Sequence, residues 1–520
     1  MRPAAEREGG PSPTAAGDGA AARAAAASEG SAAQPLPTAA GSISAHTGLA
    51  MAVVMTGVLI AAVDTTIVVL ALPSIERDLH IALASVVWVI IGYLLVITLL
   101  ATQVGRLGDM FGRVRMYEAG FLVFIVGSAL CALSFDEASI IAFRILQGVG
   151  GAFLTANSGA IIADLFAAEE RGRAYGFNSV GWSLGAVLGI VLGGAIVTYI
   201  SWRWIFWINV PIGLGALALA LRILHERASR RSHVLDPAGM LTLGLGLFGI
   251  LWAITRLATT SLDAAIVGYL VGGIAMIAVF VAVERHVAEP MVNLSIFRVP
   301  MMTPSLLAAM LQGLANFAVL FLVIMYLQGP RALSPIHASL LLVPGYVIGG
   351  FIGPFAGRLA DRTAPFIPAT LGLAIQVIAL ALYAQLGLRS GLWLVVAASM
   401  LNGIGASCFF PANSSAVMKV SPQALFGVSS GMLRTFSNVG MVFSYALAIL
   451  IASSAISRHL AFAIFVGSTS LHGHLASAFT SGLHAAFYAS MGLMALAALL
   501  SATRASRKGT PRGRELLLGG

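Results

Sequence analysis

A chain of 520 residues that is 58% hydrophobic and 10% charged, with mean hydropathy +0.92, excludes a soluble globular protein, which carries about 25% charged residues. Single cores stop growing beyond roughly 300 residues, so this much apolar sequence implies a bilayer, at about 20 residues per span. The formal charge of +9 invites a nucleic-acid reading, but the placement of the basic residues gives a different cause.

In chain order, residues 1–47 are rich in Ala, Gly, Pro and Ser and form a tail predicted to be disordered. The tail lacks the apolar core and small-residue cleavage site of a signal peptide. Apolar runs then predict spans at about 48–72, 83–104, 116–135, 138–165, 172–199, 203–222, 237–256, 264–284, 303–328, 336–359, 364–386, 391–418, 424–453 and 481–503. This is an all-α polytopic membrane protein with fourteen transmembrane helices. The apolar stretch 460–470 is too short to span and is expected along the outer surface. Cys131 and Cys408 lie in apolar runs and read as buried free thiols.

Lysines and arginines fall 22 on the even-numbered loops and the two tails and 6 on the odd-numbered loops, with Arg144 and Arg434 inside spans. That bias puts both termini in the cytoplasm and explains the charge without nucleic acid. The sequence also repeats. Gly105-Arg-Leu-Gly-Asp109 recurs as Gly357-Arg-Leu-Ala-Asp361, 252 residues later, and Gly148-Val-Gly150 recurs as Gly403-Ile-Gly405. Ala156-Asn-Ser158 recurs as Ala412-Asn-Ser414. Residues 48–222 and 303–503 are therefore expected to be two six-helix halves. Residues 223–302 would be a linker with two inserted helices, and 504–520 a second cytoplasmic tail. Parallel repeats of this kind hold substrate near the midplane, between the halves.

Gly105-Arg-Leu-Gly-Asp109-Met-Phe-Gly112-Arg113-Val-Arg115 resembles the loop signature of the major facilitator superfamily, and Arg144-Ile-Leu-Gln147-Gly148 resembles its fourth-span motif. Asp64-Thr-Thr-Ile-Val with Ala71-Leu-Pro73, and Trp202-Arg-Trp-Ile-Phe-Trp-Ile-Asn209-Val-Pro211, resemble motifs of its fourteen-span drug:proton antiporter branch. The likeness runs from about residue 48 to 503. Two positions depart from the pattern: Ile190 stands where the span-5 antiporter motif has proline, and Val69 where the first-span motif has asparagine.

Asp64 is the expected proton carrier. It lies nine residues before Pro73, taken as the outer helix end, so about 13 Å deep at 1.5 Å per residue. Ionised carboxylates at such depth are costly and mark ion paths. A structural carboxylate bonded to Thr65 is the other reading. Arg144, roughly 9 Å into its span, sits at comparable depth and would favour proton loss from Asp64; the resemblance gives it a role in proton transfer. An arginine snorkelling to the interface is the alternative. The resemblance further implies a conformational gate from Gly105, Asp109, Gly112, Arg113 and Asp164, with Asp361 as the repeat counterpart. The alternative is a set of solvated topology charges.

Gly185, Gly189 and Gly193, with Gly181, recur every four residues and predict close helix packing, with a hinge as the functional version. Polar residues inside spans give the candidate substrate cavity: Gln147, Asn157, Gln312, Asn316, Gln328, Asn413 and Arg434, with Trp88 and Tyr93 as aromatic contacts. Each amide can instead bond helix to helix, and Trp88 can instead sit at the lipid interface. Gly181-Trp-Ser-Leu-Gly185 and Gly427-Val-Ser-Ser-Gly431 match a hydrolase pattern, but that pattern needs a strand-to-helix turn. His472 and His474 lack companion ligands, so no metal is expected.

The resulting expectation is a monomeric proton-coupled exporter of drug-like or metabolite-like small molecules in the cytoplasmic membrane. Its partners would be that substrate, protons and the lipid bilayer. Its energy source would be the proton gradient, with no cofactor and no enzyme activity. An importer or uniporter of the same fold stays open, and so does a non-transporting membrane sensor.

Overall fold

The computed structural model describes residues 45–506 except 82, 167–170, 227–233, 293, 295–296, 298, 300, 422–425 and 454–473. The expected surface segment 460–470 and His472 lie outside the described residues. The described chain forms fourteen long helices and no strand. The first six are α1 (Ala45–Leu79), α2 (Trp88–Phe111), α3 (Arg113–Ala132), α4 (Glu137–Leu165), α5 (Arg171–Tyr199) and α6 (Asn209–Ile223), the last preceded by the single turn Trp204–Trp207. Next come α7 (Pro237–Thr259) and α8 (Ala264–Glu284). The remaining six are α9 (Met302–Gln328), α10 (Pro335–Arg362), α11 (Phe366–Tyr383), α12 (Trp393–Val420), α13 (Phe426–Ser453) and α14 (His474–Ser506). Thirteen stretches are long and apolar enough to cross a bilayer, and α5 adds the shorter apolar stretch Leu184–Tyr199. Both hydrolase-like patterns fall inside helices, α5 and α13.

Helix ends follow the local chemistry. Asp136 and Ser139 form a reciprocal capping box at the start of α4. Asp236 and Asp263 cap α7 and α8, with Pro237 in the first turn of α7. Only Gly112, at φ +112°, separates α2 from α3, a backbone region in which other residues are strained. One expected boundary is wrong: Pro73 does not end its helix. α1 continues to Leu79, because a proline costs a membrane helix one donor and nearby groups re-satisfy the backbone. In the added turns Arg77 Nε donates to Pro73 O at 3.0 Å.

The end of the bundle bearing the α2–α3 junction is termed the basic end. Among the first six helices, α4 packs on α2 and α3, α6 on α3, and α5 on α1. Among the last six, α12 packs on α10 and α11, and α9 on α13 and α14. The two groups meet where α5 packs on α10 and α2 on α13, and α7 touches both α2 and α13. The α1–α5 contact depends on glycine. A Cβ on Gly189 would lie 2.7 Å from Val63 O, so the backbones approach as closely as the four-residue glycine spacing predicts. Ile190, in the departing position, is fully buried beside it. At the end opposite the basic end, Gly194 abuts Pro335 and Ile336, and Ile336 N donates to Thr198 Oγ1 at 3.3 Å.

Candidate functional site

Three helices bring a charged cluster into the core of the first six. Asp64 from α1 and Arg144 from α4 form an ion pair of 2.7 Å, with both side chains shielded from solvent. The second carboxylate oxygen accepts from Gln147 Nε2 at 2.8 Å, and Arg144 Nη1 also donates to Gln147 Oε1 at 2.6 Å. Arg144 and Gln147 are three residues apart on one helix face, so both reach the same acid. Gln147 Nε2 donates onward to Ser128 Oγ of α3 at 2.7 Å, and Cys131 Sγ lies 3.7 Å from Gln147 Oε1. Arg144 Nε is taken by the carbonyl of Val89 at 2.8 Å, and its guanidinium lies 4.2 Å from the Tyr93 ring centroid and 5.8 Å from that of Phe206.

Both oxygens of Asp64, and Nε and Nη1 of Arg144, have hydrogen-bond partners, as two charges kept in an apolar interior require. Protonating Asp64 would cancel one charge and leave Arg144 with the carbonyls of Gln147 and Val89 and two rings.

A second cluster lies at the basic end. Arg113 at the start of α3 bonds Asp109 of α2 at 2.7 Å and Asp164 of α4 at 2.7 Å, joining three helices. These groups are partly exposed. Sequence reasoning missed their neighbour Glu226, in the segment after α6. Its carboxylate accepts from the backbone N–H of Arg113 at 3.2 Å and of Val114 at 3.1 Å, capping α3 from outside. Glu226 lies over the open face of Gly112. Gly105 faces open space and makes no close approach. Asp361 falls in the last turn of α10, and its side chain lies outside the described residues.

The polar residues expected in a cavity separate into different places. Gln147 belongs to the ion-pair cluster. Asn157 is buried, donates to Phe153 O at 2.9 Å and presses its Oδ1 onto Gly108, so it packs α4 on α2. Asn413 is buried between Ser305 O, at 3.1 Å, and Arg504 Nη1, at 2.8 Å, and bonds helix to helix. Trp88 packs on Phe248 of α7 and donates to Thr255 Oγ1 at 3.3 Å, so it meets an inserted helix. Tyr93 is buried under Arg144. Gln328 is the last residue of α9, at the end opposite the basic end. For Asn413 and Trp88 the cause is one: a polar group in an apolar helix takes a nearby partner in the bundle.

Gln312 and Asn316 do converge. Gln376 of α11 accepts from Gln312 Nε2 at 3.4 Å and donates to Asn316 Oδ1 and Asn402 Oδ1, each at 3.3 Å. Arg434 of α13 is exposed and reaches Thr155 O of α4 at 3.2 Å, from the last six helices to the first six. Arg504, expected in a tail loop, is instead buried in α14, held by Ser305, Asn413 and Ser501. At the end opposite the basic end, Arg203 and Trp202 of the Trp-Arg-Trp motif both bond Asp78 of α1, the tryptophan at 3.0 Å. Among the described residues no group of three or more His, Cys, Asp or Glu side chains is placed to hold a metal ion.

A family model described as Major Facilitator Superfamily matches residues 54–445 and 305–517. The tetracenomycin C resistance and export protein of Streptomyces glaucescens is 30% identical over 77% of this chain and 75% of its own length. The puromycin resistance protein pur8 of Streptomyces alboniger is 31% identical over 79% of this chain and 83% of its own. Among solved structures, a bacterial homolog of the human lysosomal transporter Spinster, in an inward-facing and unoccupied conformation, aligns with TM-score 0.62 at 17% identity. It covers 91% of this chain and all of its own.

Proposed function

The chain belongs to the Major Facilitator Superfamily of transporters, and on that premise we propose that it exports small drug-like or metabolite-like molecules in exchange for protons. The carrying observation is the buried Asp64–Arg144–Gln147 cluster. A carboxylate held in the apolar core by one cation is a proton-binding group whose occupancy changes the local charge. Residues 303–503 contain a single acid, Asp361, which leaves Asp64 as the acid best sited for coupling. In this reading Arg144 returns the carboxylate to its ionised state after each proton is released, and Gln147 keeps it oriented. Arg434, Asn316 and Gln312 supply polar contacts to cargo between the halves, and the Arg113 cluster holds the basic end in one conformation.

Export is supported by the resistance proteins of the two Streptomyces relatives, which are named for antibiotics. The basic loops support a cytoplasmic-membrane location with both termini inside. The working unit is proposed to be a monomer driven by the proton gradient, without a cofactor.

The test uses everted vesicles containing the full chain and a panel of lipophilic compounds, scored for proton release from the lumen. The wild type is expected to respond to at least one compound, and Asp64→Asn is expected to lose that response while retaining compound binding. Full proton-coupled transport by Asp64→Asn would overturn the carrier assignment. Proton-linked uptake in intact cells, without release from everted vesicles, would favour the second reading, an importer of the same fold. That reading draws on Ile190, buried where the antiporter pattern carries proline.

A further inference from the structure

A second pair of acids lies away from the Asp64 cluster, at the basic ends of the two inserted helices. Asp236, which caps α7, and Glu284, the last residue of α8, are both almost wholly buried. Each commits one oxygen to backbone. Asp236 Oδ1 accepts from Gly239 N at 2.7 Å, and Glu284 Oε2 accepts from Val292 N at 3.0 Å. Each leaves its other oxygen, Asp236 Oδ2 and Glu284 Oε1, buried and without a hydrogen-bond partner among the described residues. Those two free oxygens face each other across Gly239. A Cβ on that glycine would lie 2.2 Å from the first and 2.7 Å from the second, so only glycine leaves them room to converge.

Two ionised carboxylates buried this near each other repel strongly, and one of them takes up a proton. That proton also supplies the hydrogen bond that both free oxygens lack. We infer that Asp236 and Glu284 form a second proton-binding site, which holds one proton between Asp236 Oδ2 and Glu284 Oε1.

The surrounding charges leave this arrangement intact. Arg106 of α2 donates to the carbonyls of Val234, at 3.1 Å, Glu289, at 2.8 Å, and Pro290, at 2.7 Å. Glu289 Oε2 accepts from Val234 N at 3.3 Å. Arg285 and His286 are exposed, and His286 Nδ1 pairs with Ala282 O. Gln103 Oε1 of α2 accepts from Asp236 N at 3.4 Å. The pair therefore ties the segment entering α7 to the segment leaving α8, and Gln103 and Arg106 tie both to α2. The shared proton closes this joint. Its loss would place two anions in one buried pocket and loosen the inserted hairpin from α2.

The folded protein binds this proton more tightly than the unfolded chain, so the joint contributes its full stability in acid. That contribution is lost as pH rises through the native titration of the pair.

The test measures the unfolding midpoint of the full chain in lipid nanodiscs against pH, at constant ionic strength, together with infrared difference spectra in the carboxylic-acid carbonyl region. The wild-type midpoint is expected to fall with rising pH. Glu284→Gln is expected to lower the pH slope by about one proton and to lack one protonated-carboxyl band present in the wild type. Asp236→Asn, which keeps the helix cap, is expected to do the same and carries the test if Glu284→Gln fails to fold. An unchanged slope and an unchanged band in the variants that fold would overturn the inference. So would a wild-type midpoint that rises with added sodium or potassium at fixed pH and ionic strength, since a metal cation would then occupy the pair.

Discussion

In the first six helices the core polar group is an ion pair, whereas in the last six the corresponding place is filled by amides. Asn316 follows Asp64 by 252 residues, the offset that separates the two Gly-Arg-Leu motifs, and Asn402 follows Gln147 by 255, the offset of the glycine pairs in α4 and α12. Ser399 follows Arg144 by the same 255 and donates to Leu342 O of α10, as Arg144 donates to Val89 O of α2. The backbone plan is repeated and the charges are not. A neutral network keeps helices in register without regard to pH, whereas a charged one makes the packing of its half depend on a proton. On the proposed reading, coupling belongs to α1–α6, and α9–α14 are left to meet cargo with amides and Arg434.

The sharpest way to break the contrast is to strand one charge. Arg144→Ala leaves Asp64 buried without its cation, and removing one partner of a buried pair costs about 3–5 kcal/mol. The expected outcome is a large loss of folded protein in denaturant titration and no proton coupling. Asp64→Asn combined with Arg144→Gln converts the first half to the neutral chemistry of the second. It is expected to recover most of the lost stability while coupling stays absent. A double variant as unstable as Arg144→Ala would show that shape, rather than stranded charge, carries the cost.

The span plan was legible because the bilayer imposes a length on every apolar run, and arginine placement is a separate count from hydropathy. Depth arithmetic put Asp64 and Arg144 at comparable depth, counting Asp64 from Pro73 although the helix runs on to Leu79, and they stand 2.7 Å apart. Helix rotation was not legible. Asn157, Asn413 and Trp88 look like cavity residues in a linear chain, yet they turn toward Gly108, Arg504 and Thr255. Glu226 carries no sequence signal for its role, since it caps α3 from a segment more than a hundred residues away. Gln376 does carry a signal, an amide in the middle of an apolar run, as Asn316 does, and Asn402 carries one in its repeat offset from Gln147.

A smaller effect comes from adding charge where the protein has none. Asn316→Asp places a carboxyl beside Gln376 and Asn402, in a network built of amides. The protonated acid is close in shape to the amide, so the variant is expected to approach wild-type stability in acid. It is expected to lose roughly 1–3 kcal/mol as the group ionises. Denaturant titration at several pH values reads this directly, and a pH-independent variant would show that the second half can shelter an anion after all.

The smallest change removes the hub of the amide network. Gln376→Met keeps the side-chain length and takes away three hydrogen bonds of 3.3–3.4 Å. Those distances lie at the weak end of the range, so the loss should be about 1 kcal/mol in unfolding, well below that of stranding Arg144. Proton coupling should be unaltered, because no group in this network changes charge, while the affinity for cargo should shift if Gln312 and Asn316 face it. A Gln376→Met variant that loses coupling with cargo affinity intact would place the second half inside the proton path and erase the division of labour between the two halves.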